Sequence, residues 1–212
     1  MFKITILHPS RNRPNQANET IKNWLSKAHD RASIEYILSV DKDDRDLKRY
    51  KAIGIENGTY VSVNRNKSAI EAINNAAKVS TANLIIVVSD DFDCEQDWDL
   101  KLLTALEGKE DYIVKTQDGI QDWIITLPIL DRKYYNRFGY VYNPGYIHLW
   151  VDTEMTSVAD YLGRKIILDL MFPHNHHSVG KSKKDAINER NNKTWNQGKK
   201  LYNERKAINF GL

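Results

Sequence analysis

Short apolar runs alternate with amphipathic segments along the first ninety residues. Apolar, β-rich runs predict buried strands at residues 2–7, 34–40, 60–63 and 83–88. Apolar residues at three- and four-residue spacing predict helices at residues 16–28 and 68–78. Nearly continuous apolar strands that alternate with helices are typical of a mostly parallel sheet covered on both faces. The sequence therefore predicts an α/β fold.

The second half of the chain is less regular. Its patterns predict further strands at residues 111–115, 123–127 and 166–172, and a helix at residues 152–162. We expect one globular domain over residues 1–180, followed by a basic, partly helical C-terminal extension over residues 181–212.

Polar loops follow three of the predicted strands. Arg11 and Arg13 follow the first strand, Asp41 ends the second, and Ser89-Asp90-Asp91-Phe92-Asp93 follows the fourth. Ligands of open α/β sheets bind outside the carboxyl ends of the strands. The three loops are therefore predicted to form one site.

The acidic turn supplies carboxylates at three of four consecutive positions, Asp90, Asp91 and Asp93. Hard oxygen ligands of this kind suit Mg²⁺ or Mn²⁺ bound to phosphate oxygens. His174 or His176, after the last predicted strand, could complete the metal shell or contact a diphosphate. The alternative is a solvated acidic loop with surface histidines. A structural zinc site is not expected, because Cys94 is the only thiol.

Other polar residues near the predicted edge have two interpretations each. Arginines in the first loop could bind phosphate or a base edge, and Asp41 could accept from a base or bind ribose. Lys67 and Ser68, at the start of a helix, could meet a pyrophosphate. Asp152 and Glu154 could be a general base or could stabilise a helix N-terminus. The alternative for the arginines, Asp41, Lys67 and Ser68 is an ordinary position that faces solvent or ends a strand.

The composition limits the classes of protein to which the chain can belong. The 212 residues carry a formal charge of +3, with 41% apolar residues and one cysteine. No apolar run approaches the roughly 20 residues of a membrane helix. We expect a soluble, cytoplasmic protein with no membrane association, in the host cytoplasm if the gene is phage-borne. Residues 181–206 contain nine Lys or Arg against three Asp or Glu, which indicates either a solvated extension or a surface for a polyanion such as DNA.

The ordered motifs resemble the glycosyltransferases of the nucleotide-diphospho-sugar transferase (GT-A) fold, close to glycosyltransferase family 2. The resemblance covers roughly residues 1–180. It is carried by six segments: HPSRNRP, SVDKDD, NRNKSAIEAINNAA, LIIVVSDDFD, WVDTEM and FPHNHH.

The resemblance implies a metal-dependent, inverting hexosyltransferase that uses Mn²⁺ or Mg²⁺ and a nucleotide-sugar donor, with a UDP-sugar favoured. Asp91 and Asp93 resemble the ends of the DxD motif, and Asp152 is similar to the catalytic base, with Glu154 as the open alternative. His174 or His176 is similar to the late metal or diphosphate contact. The residues similar to the family's nucleotide, ribose and phosphate contacts are Arg11, Arg13, Asp41, Lys67, Ser68 and Asp90.

The acceptor side is expected in the aromatic second half of the chain. The alternative for each aromatic residue there is packing in the core, but five of them could offer flat surfaces for a sugar ring or a base: Trp123, Tyr140, Tyr142, Tyr146 and Trp150. With the basic extension they permit a DNA acceptor, such as a hydroxymethylated pyrimidine modified by phage-type enzymes. The alternatives are a saccharide or small-molecule acceptor, a sugar nucleotidyltransferase, or a non-catalytic nucleic-acid-binding protein.

Overall fold

The computed structural model describes residues 2–175, 180 and 192–212. Seven strands and seven α-helices occupy these residues. In chain order they are β1 (Ile4–Pro9), α1 (Pro14–Ser26), β2 (Ile34–Asp41), α2 (Leu47–Asn57), β3 (Tyr60–Asn64), α3 (Ala69–Val79), β4 (Leu84–Val87), α4 (Trp98–Ala105), β5 (Ile113–Gln117), β6 (Ile129–Asp131), α5 (Arg132–Phe138), α6 (Val151–Tyr161), β7 (Lys165–Met171) and α7 (Trp195–Ala207).

The seven strands form one sheet in the order β3-β2-β1-β4-β6-β5-β7. β3, β2, β1 and β4 run parallel to one another, so their carboxyl ends share one edge. β6 runs antiparallel to both of its neighbours, and β7 returns parallel to β5. The predicted α/β fold with a mostly parallel central sheet is confirmed.

Apolar side chains cover both faces of the sheet. One face packs against α1, α2 and α4, and the other against α3, α5, α6 and α7. On the first face Trp24 stacks on Phe172, with ring centroids 5.5 Å apart, and meets Trp98 edge-on at 5.0 Å. Trp24 thereby joins α1 to the segment that follows β7.

The strand predicted at residues 123–127 is wrong, because this stretch is a loop and the strand β6 comes after it. The carboxylate of buried Asp118 organises the loop by accepting hydrogen bonds from the amides of Ile120 and Gln121, each at 2.7 Å, and from the Thr126 hydroxyl at 2.6 Å. These bonds hold the backbone in a turn, which competes with strand pairing.

The C-terminal extension is helical over α7, and this helix is packed on the domain. Tyr202 and Phe210 are buried in the same apolar cluster as α6. Residues 181–191, which carry part of the basic charge, lie outside the described residues. None of the helices in the described part of the chain is both long enough and apolar enough to cross a membrane.

Candidate active site

The loops after β1 and β2 meet at the shared carboxyl edge of the parallel strands. The Arg11 guanidinium donates to Asp41, and also to both oxygens of Asp43 at 3.0 and 3.1 Å. The Asn12 amide donates to Asp44 at 2.8 Å. The predicted convergence of these two loops is confirmed.

Asp41 lies at the base of this loop cluster and is buried. One of its oxygens accepts from Arg11 and the other from the Asn66 side-chain amide at 2.8 Å. Hydrogen bonds to Asp43 and Asp41 raise the pKa of Arg11 further above its ordinary value. Arg11 therefore binds Asp41 and Asp43 in this structure, and it orients the Asp41 carboxylate at the end of β2.

Asp90, the first carboxylate of the acidic turn, points into the protein. It accepts from His8 Nε2 at 2.9 Å and from the Ser10 hydroxyl at 3.1 Å, and Arg13 lies 3.9 Å away. His8 is fully buried, and its other ring nitrogen is 2.8 Å from the Tyr36 hydroxyl. Because an ionised carboxylate only accepts, Nε2 donates to Asp90, and in the neutral imidazole Nδ1 then accepts from the Tyr36 hydroxyl. Asp90 thus ties the turn to β1.

One face of α1 donates hydrogen bonds to the backbone of the same turn. The Thr20 hydroxyl donates to the Asp90 carbonyl at 3.1 Å, and the buried Trp24 indole donates to the Phe92 carbonyl at 3.1 Å. Residues four apart lie on one side of a helix, so the two donors reach carbonyls along the same turn. The turn is therefore fixed along its length by α1.

The Asp93 carboxylate is also held by α1. Its Oδ1 accepts from Lys27 Nζ at 2.8 Å, from the Asn23 amide group and from the Cys94 backbone amide at 2.7 Å. Desolvation raises the pKa of Asp93, but the bonds from Lys27, Asn23 and Cys94 outweigh it and lower the pKa below its ordinary value. In this structure Asp93 fixes the turn, although the sequence predicts it as a metal ligand.

Asp91 lies beside the late histidine, and its Oδ1 accepts from the Ser89 hydroxyl. His174 Nε2 lies 3.3 Å from Asp91 Oδ2, and the Asn175 amide donates to the Asp91 carbonyl at 2.8 Å. The His174 ring stacks on Phe92, with centroids 4.1 Å apart. A β-bridge between Phe92 and His174 joins the turn to the segment after β7. Asp91 and His174 are thus placed side by side.

Asp91 and His174 offer two potential metal ligands at this edge of the sheet. Within residues 2–175, 180 and 192–212, no three His, Cys, Asp or Glu side chains are placed to hold a metal ion together. The predicted ligand His176 lies outside the described residues. One carboxylate and one imidazole fit a Mn²⁺ or Mg²⁺ ion whose remaining ligands are water and substrate phosphate oxygens.

Asp152 and Glu154 both lie in the first turn of α6, but their carboxylates have different hydrogen-bond partners. Glu154 is buried, and it accepts from Arg205 Nε at 2.8 and 2.9 Å, from the Tyr146 hydroxyl at 2.7 Å and from Asn143 at 2.8 Å. Asp152 accepts from the Thr153 amide at 2.8 Å. Desolvation raises the pKa of Asp152, and the bonds from Thr153 offset only part of that rise.

Lys67 and Ser68 lie between β3 and α3. Ser68 is the N-cap of α3 and accepts from the Glu71 amide at 3.2 Å, while the Glu71 carboxylate accepts from the Lys67 amide at 2.7 Å. The Lys67 side chain is exposed. The structure therefore gives Ser68 a capping role that was not predicted.

Two of the five aromatic residues predicted on the acceptor surface are core residues. Tyr142 and Tyr146 are buried in the cluster between the sheet, α3 and α6. For these two residues the alternative of core packing is confirmed. The turn-rich segment that carries them is anchored by Asn74, which accepts from the Tyr142 amide and donates to its carbonyl. Trp123 is exposed, and Tyr140 and Trp150 are half-buried.

Several positioning residues were not predicted from the sequence. Thr20, Asn23 and Lys27 bind the acidic turn but lie outside the six motif segments, and His8, which begins HPSRNRP, had no predicted role. One signal in the sequence could have indicated this role. Thr20 and Asn23 lie beside the apolar positions of the predicted first helix, and polar side chains that are buried there need hydrogen-bond partners.

The sequence matches the family described as Glycosyl transferase family 2 over residues 5–147, two thirds of the chain. The chain belongs to this family. No curated protein matches it at a significant level.

Solved structures show the same fold. The mannosyltransferase PcManGT from Pyrobaculum calidifontis, in complex with GDP-Man and Mn²⁺, superposes with a TM-score of 0.66 at 13% identity over 81% of this chain and 56% of that one. TarS 1-349 of S. aureus, in complex with UDP-GlcNAc, gives 0.66 at 14% identity over 81% and 57%. Glucosyl-3-phosphoglycerate synthase from Mycobacterium tuberculosis, in complex with phosphoglyceric acid, gives 0.63 at 11% identity over 89% and 74%.

The GT-A glycosyltransferase fold expected from the motifs is thereby confirmed. The chain spans little more than half the length of the first two of these structures.

The pairing of Lys27 with Asp93 predicts a pH-dependent contribution to stability. Because the pKa of Asp93 is lowered by folding, this contribution is present above the unfolded pKa and is lost as the pH falls through the lower, folded pKa. Asp93 is 41% exposed, so solvent screening limits the contribution to about 1 kcal/mol or less. Lys27→Met should therefore lower the free energy of unfolding more at neutral pH than below the folded pKa of Asp93, where the loss is limited to the bond from Lys27 to the Cys94 carbonyl.

Urea denaturation at neutral and acidic pH measures this difference. Lys48→Met, at an exposed position of α2, is the matched control and should change neither value. A Lys27→Met effect that is equal at both pH values would contradict the assignment.

Proposed function

We propose that this member of glycosyl transferase family 2 moves a sugar, with inversion, from a nucleotide-diphosphate sugar to an acceptor hydroxyl in a metal-dependent reaction. The observation that carries the proposal is the pair Asp91 and His174, 3.3 Å apart, at the strand edge that also holds Asp41. A metal-binding pair beside a nucleotide pocket is what a diphosphate-linked donor requires.

The nucleotide is proposed to bind over the ends of β1 and β2. Asp41 is proposed to accept from the imide N–H of a uracil, held in place by Arg11 and Asn66. A UDP-sugar is favoured for this reason, and the fold neighbours solved with UDP-GlcNAc and GDP-Man support a nucleotide-sugar donor. Arg13, Lys67 and Ser68 remain candidate phosphate contacts, and Asp90 a candidate ribose contact.

Asp91 and His174 are proposed to hold Mn²⁺ or Mg²⁺. When bound there, the ion would neutralise charge on the leaving diphosphate. Asp93 is assigned a supporting role, because its Oδ1 accepts three hydrogen bonds, from Lys27, Asn23 and the Cys94 amide, that hold it against α1 and the turn. His176 remains an alternative late contact.

Asp152 is proposed as the general base. It takes the proton of the acceptor hydroxyl while that oxygen attacks the anomeric carbon, on the face opposite the departing diphosphate, which inverts the configuration. Burial raises the pKa of Asp152 and makes it a stronger proton acceptor than a solvated carboxylate. Glu154 is less suited, because Arg205 and Tyr146 engage both of its oxygens.

The acceptor is still a prediction. Family membership favours transfer over nucleotidyl transfer and over a binding module without activity. A DNA acceptor rests on the basic C-terminal residues and exposed Trp123, and a saccharide acceptor would suit the same aromatic side chain.

Metal binding distinguishes Asp91 from Asp93. Asp91→Asn and His174→Ala should each weaken Mn²⁺ binding in the presence of UDP by about tenfold or more, because each removes a direct ligand. Asp93→Asn is the matched control and should stay within about threefold of the wild type, because the amide oxygen of Asn can still accept from Lys27, Asn23 and the Cys94 amide. Isothermal titration with Mn²⁺ measures all three. Equal losses in Asp91→Asn and Asp93→Asn, or turnover unchanged by EDTA, would refute the metal assignment.

Removal of the proposed base should reduce turnover but leave the affinity for the donor nearly unchanged. Asp152→Asn should reduce turnover of nucleotide-sugar donors by about 10²- to 10⁴-fold, because no carboxylate accepts the proton. Donor affinity should change by less than about twofold, since the nucleotide pocket is formed by other residues. Released nucleoside diphosphate and a thermal shift with each of a panel of UDP- and GDP-sugars measure the two quantities.

Asp160→Asn, on the exposed end of α6, is the matched control for this substitution. Turnover near the wild-type rate in Asp152→Asn would remove the base assignment.

Salt-dependent binding tests the DNA acceptor. Deleting residues 181–212 would remove buried Tyr202 and Phe210, so neutral substitutions are cleaner. Changing Lys181, Lys183, Lys184 and Arg190 together to Gln should weaken duplex binding and reduce its salt slope by about one unit for each phosphate that the protein no longer neutralises. Fluorescence anisotropy over a salt series measures this slope. An unchanged slope, or no binding by the wild type, would exclude this role for the extension.

A further inference from the structure

Helix α7 approaches the segment before α6 unusually closely. A Cβ atom at Gly198 would lie 2.2 Å from the Leu149 carbonyl oxygen and 3.2 Å from the Trp150 Cβ. The Leu149 amide also donates to the Thr194 hydroxyl at 3.3 Å. Only glycine fits this contact, so the position of α7 and the path of the backbone at Leu149 and Trp150 are linked.

Trp150 has a strained backbone. Its φ of 77° lies in the left-handed region, which large side chains rarely adopt. Trp195 contacts its ring edge-on at 5.2 Å, Tyr202 lies 5.4 Å away, and Lys199 Nζ lies 6.0 Å from its centroid. Strained residues persist only where surrounding contacts hold them, and they cluster at active sites. Here the surrounding contacts come from α7.

A second set of bonds joins α7 to the body of α6. Arg205 Nε lies 2.8 and 2.9 Å from the two oxygens of buried Glu154, and the Ser157 and Tyr202 hydroxyls are 3.0 Å apart. Arg205 also donates to the Phe210 carbonyl at 2.8 Å. The first turns of α6 are therefore held from two directions, through Trp150 and through Glu154.

We propose that α7 positions the proposed base Asp152, with Gly198 and Arg205 as the positioning residues. The inference rests on the proposed role of Asp152, which lies between Trp150 and Glu154 in the sequence. The segment matched by the family ends at residue 147, so Asp152 and both anchors lie beyond it. Helix α7 then belongs to the catalytic unit.

The Gly198 contact is tested by Gly198→Ala, with Asn203→Ala at an exposed position of the same helix as control. The added Cβ must push α7 away from Leu149, and a displacement near 1 Å at a reacting group costs about 10²-fold in rate. We expect kcat for donor hydrolysis, with a UDP- or GDP-sugar that the wild type turns over, to fall at least about tenfold. Donor Kd should stay within about twofold, because the loops of β1 and β2 bind the nucleotide.

Circular dichroism must show that Gly198→Ala is folded. A folded variant with wild-type kcat overturns the proposal, and so does an equal loss of donor affinity, because that would indicate general damage.

The Arg205 anchor gives an independent test that does not depend on Gly198. Arg205→Gln leaves Glu154 buried without its cation, which should lower kcat. Glu154→Gln combined with Arg205→Gln replaces the ion pair by a neutral amide pair and should restore at least part of kcat. A double variant no faster than Arg205→Gln overturns the positioning role, while recovery also excludes Glu154 as the base.

Comparison with Asp152→Asn separates this inference from the proposed function. If Asp152→Asn is inactive but Gly198→Ala and Arg205→Gln are normal, the base assignment stands and the role of α7 fails. If Asp152→Asn is active, the base assignment fails, and the positioning role fails with it.

Discussion

The hydrogen bonds from one face of α1 to the acidic turn after β4 are the constraint on which the site depends. Thr20 and Trp24 hold backbone carbonyls of the turn, and Asn23 and Lys27 hold the Asp93 carboxylate. Once Asp93 is fixed against α1, Asp91 is the carboxylate left beside His174. Burial of Trp24 between Trp98 and Phe172 makes this arrangement part of the apolar core.

The two halves of the proposed site are built differently. The nucleotide half comes from the parallel strands, whose shared carboxyl edge brings Asp41 and the acidic turn together without long connections. The other half, which carries the late metal ligand and the base, relies on contacts between distant segments. His174 reaches the turn through the bridge to Phe92, and Asp152 begins a helix that α7 holds through Glu154. This second half lies largely beyond the segment shared with the family.

Local patterns predicted the fold and the convergence of the loops, because strand and helix periods depend on neighbouring residues alone. They could not distinguish Asp91 from Asp93, since that difference depends on Lys27, 66 residues earlier in the chain. The false strand at residues 123–127 and the burial of Tyr142 have the same cause. In each case a buried side chain, Asp118 or Asn74, bonds to the backbone and overrides the local pattern.

The proposed function depends most on the turn presenting Asp91, paired with His174, to the metal that holds the donor. Anomalous diffraction from crystals grown with Mn²⁺ and UDP tests this arrangement most directly. We predict one manganese peak in direct contact with Asp91 and His174, with Asp93 still bonded to Lys27. A peak coordinated by Asp93 with Lys27 displaced, or a nucleotide bound at this edge with no metal beside Asp91, would contradict it.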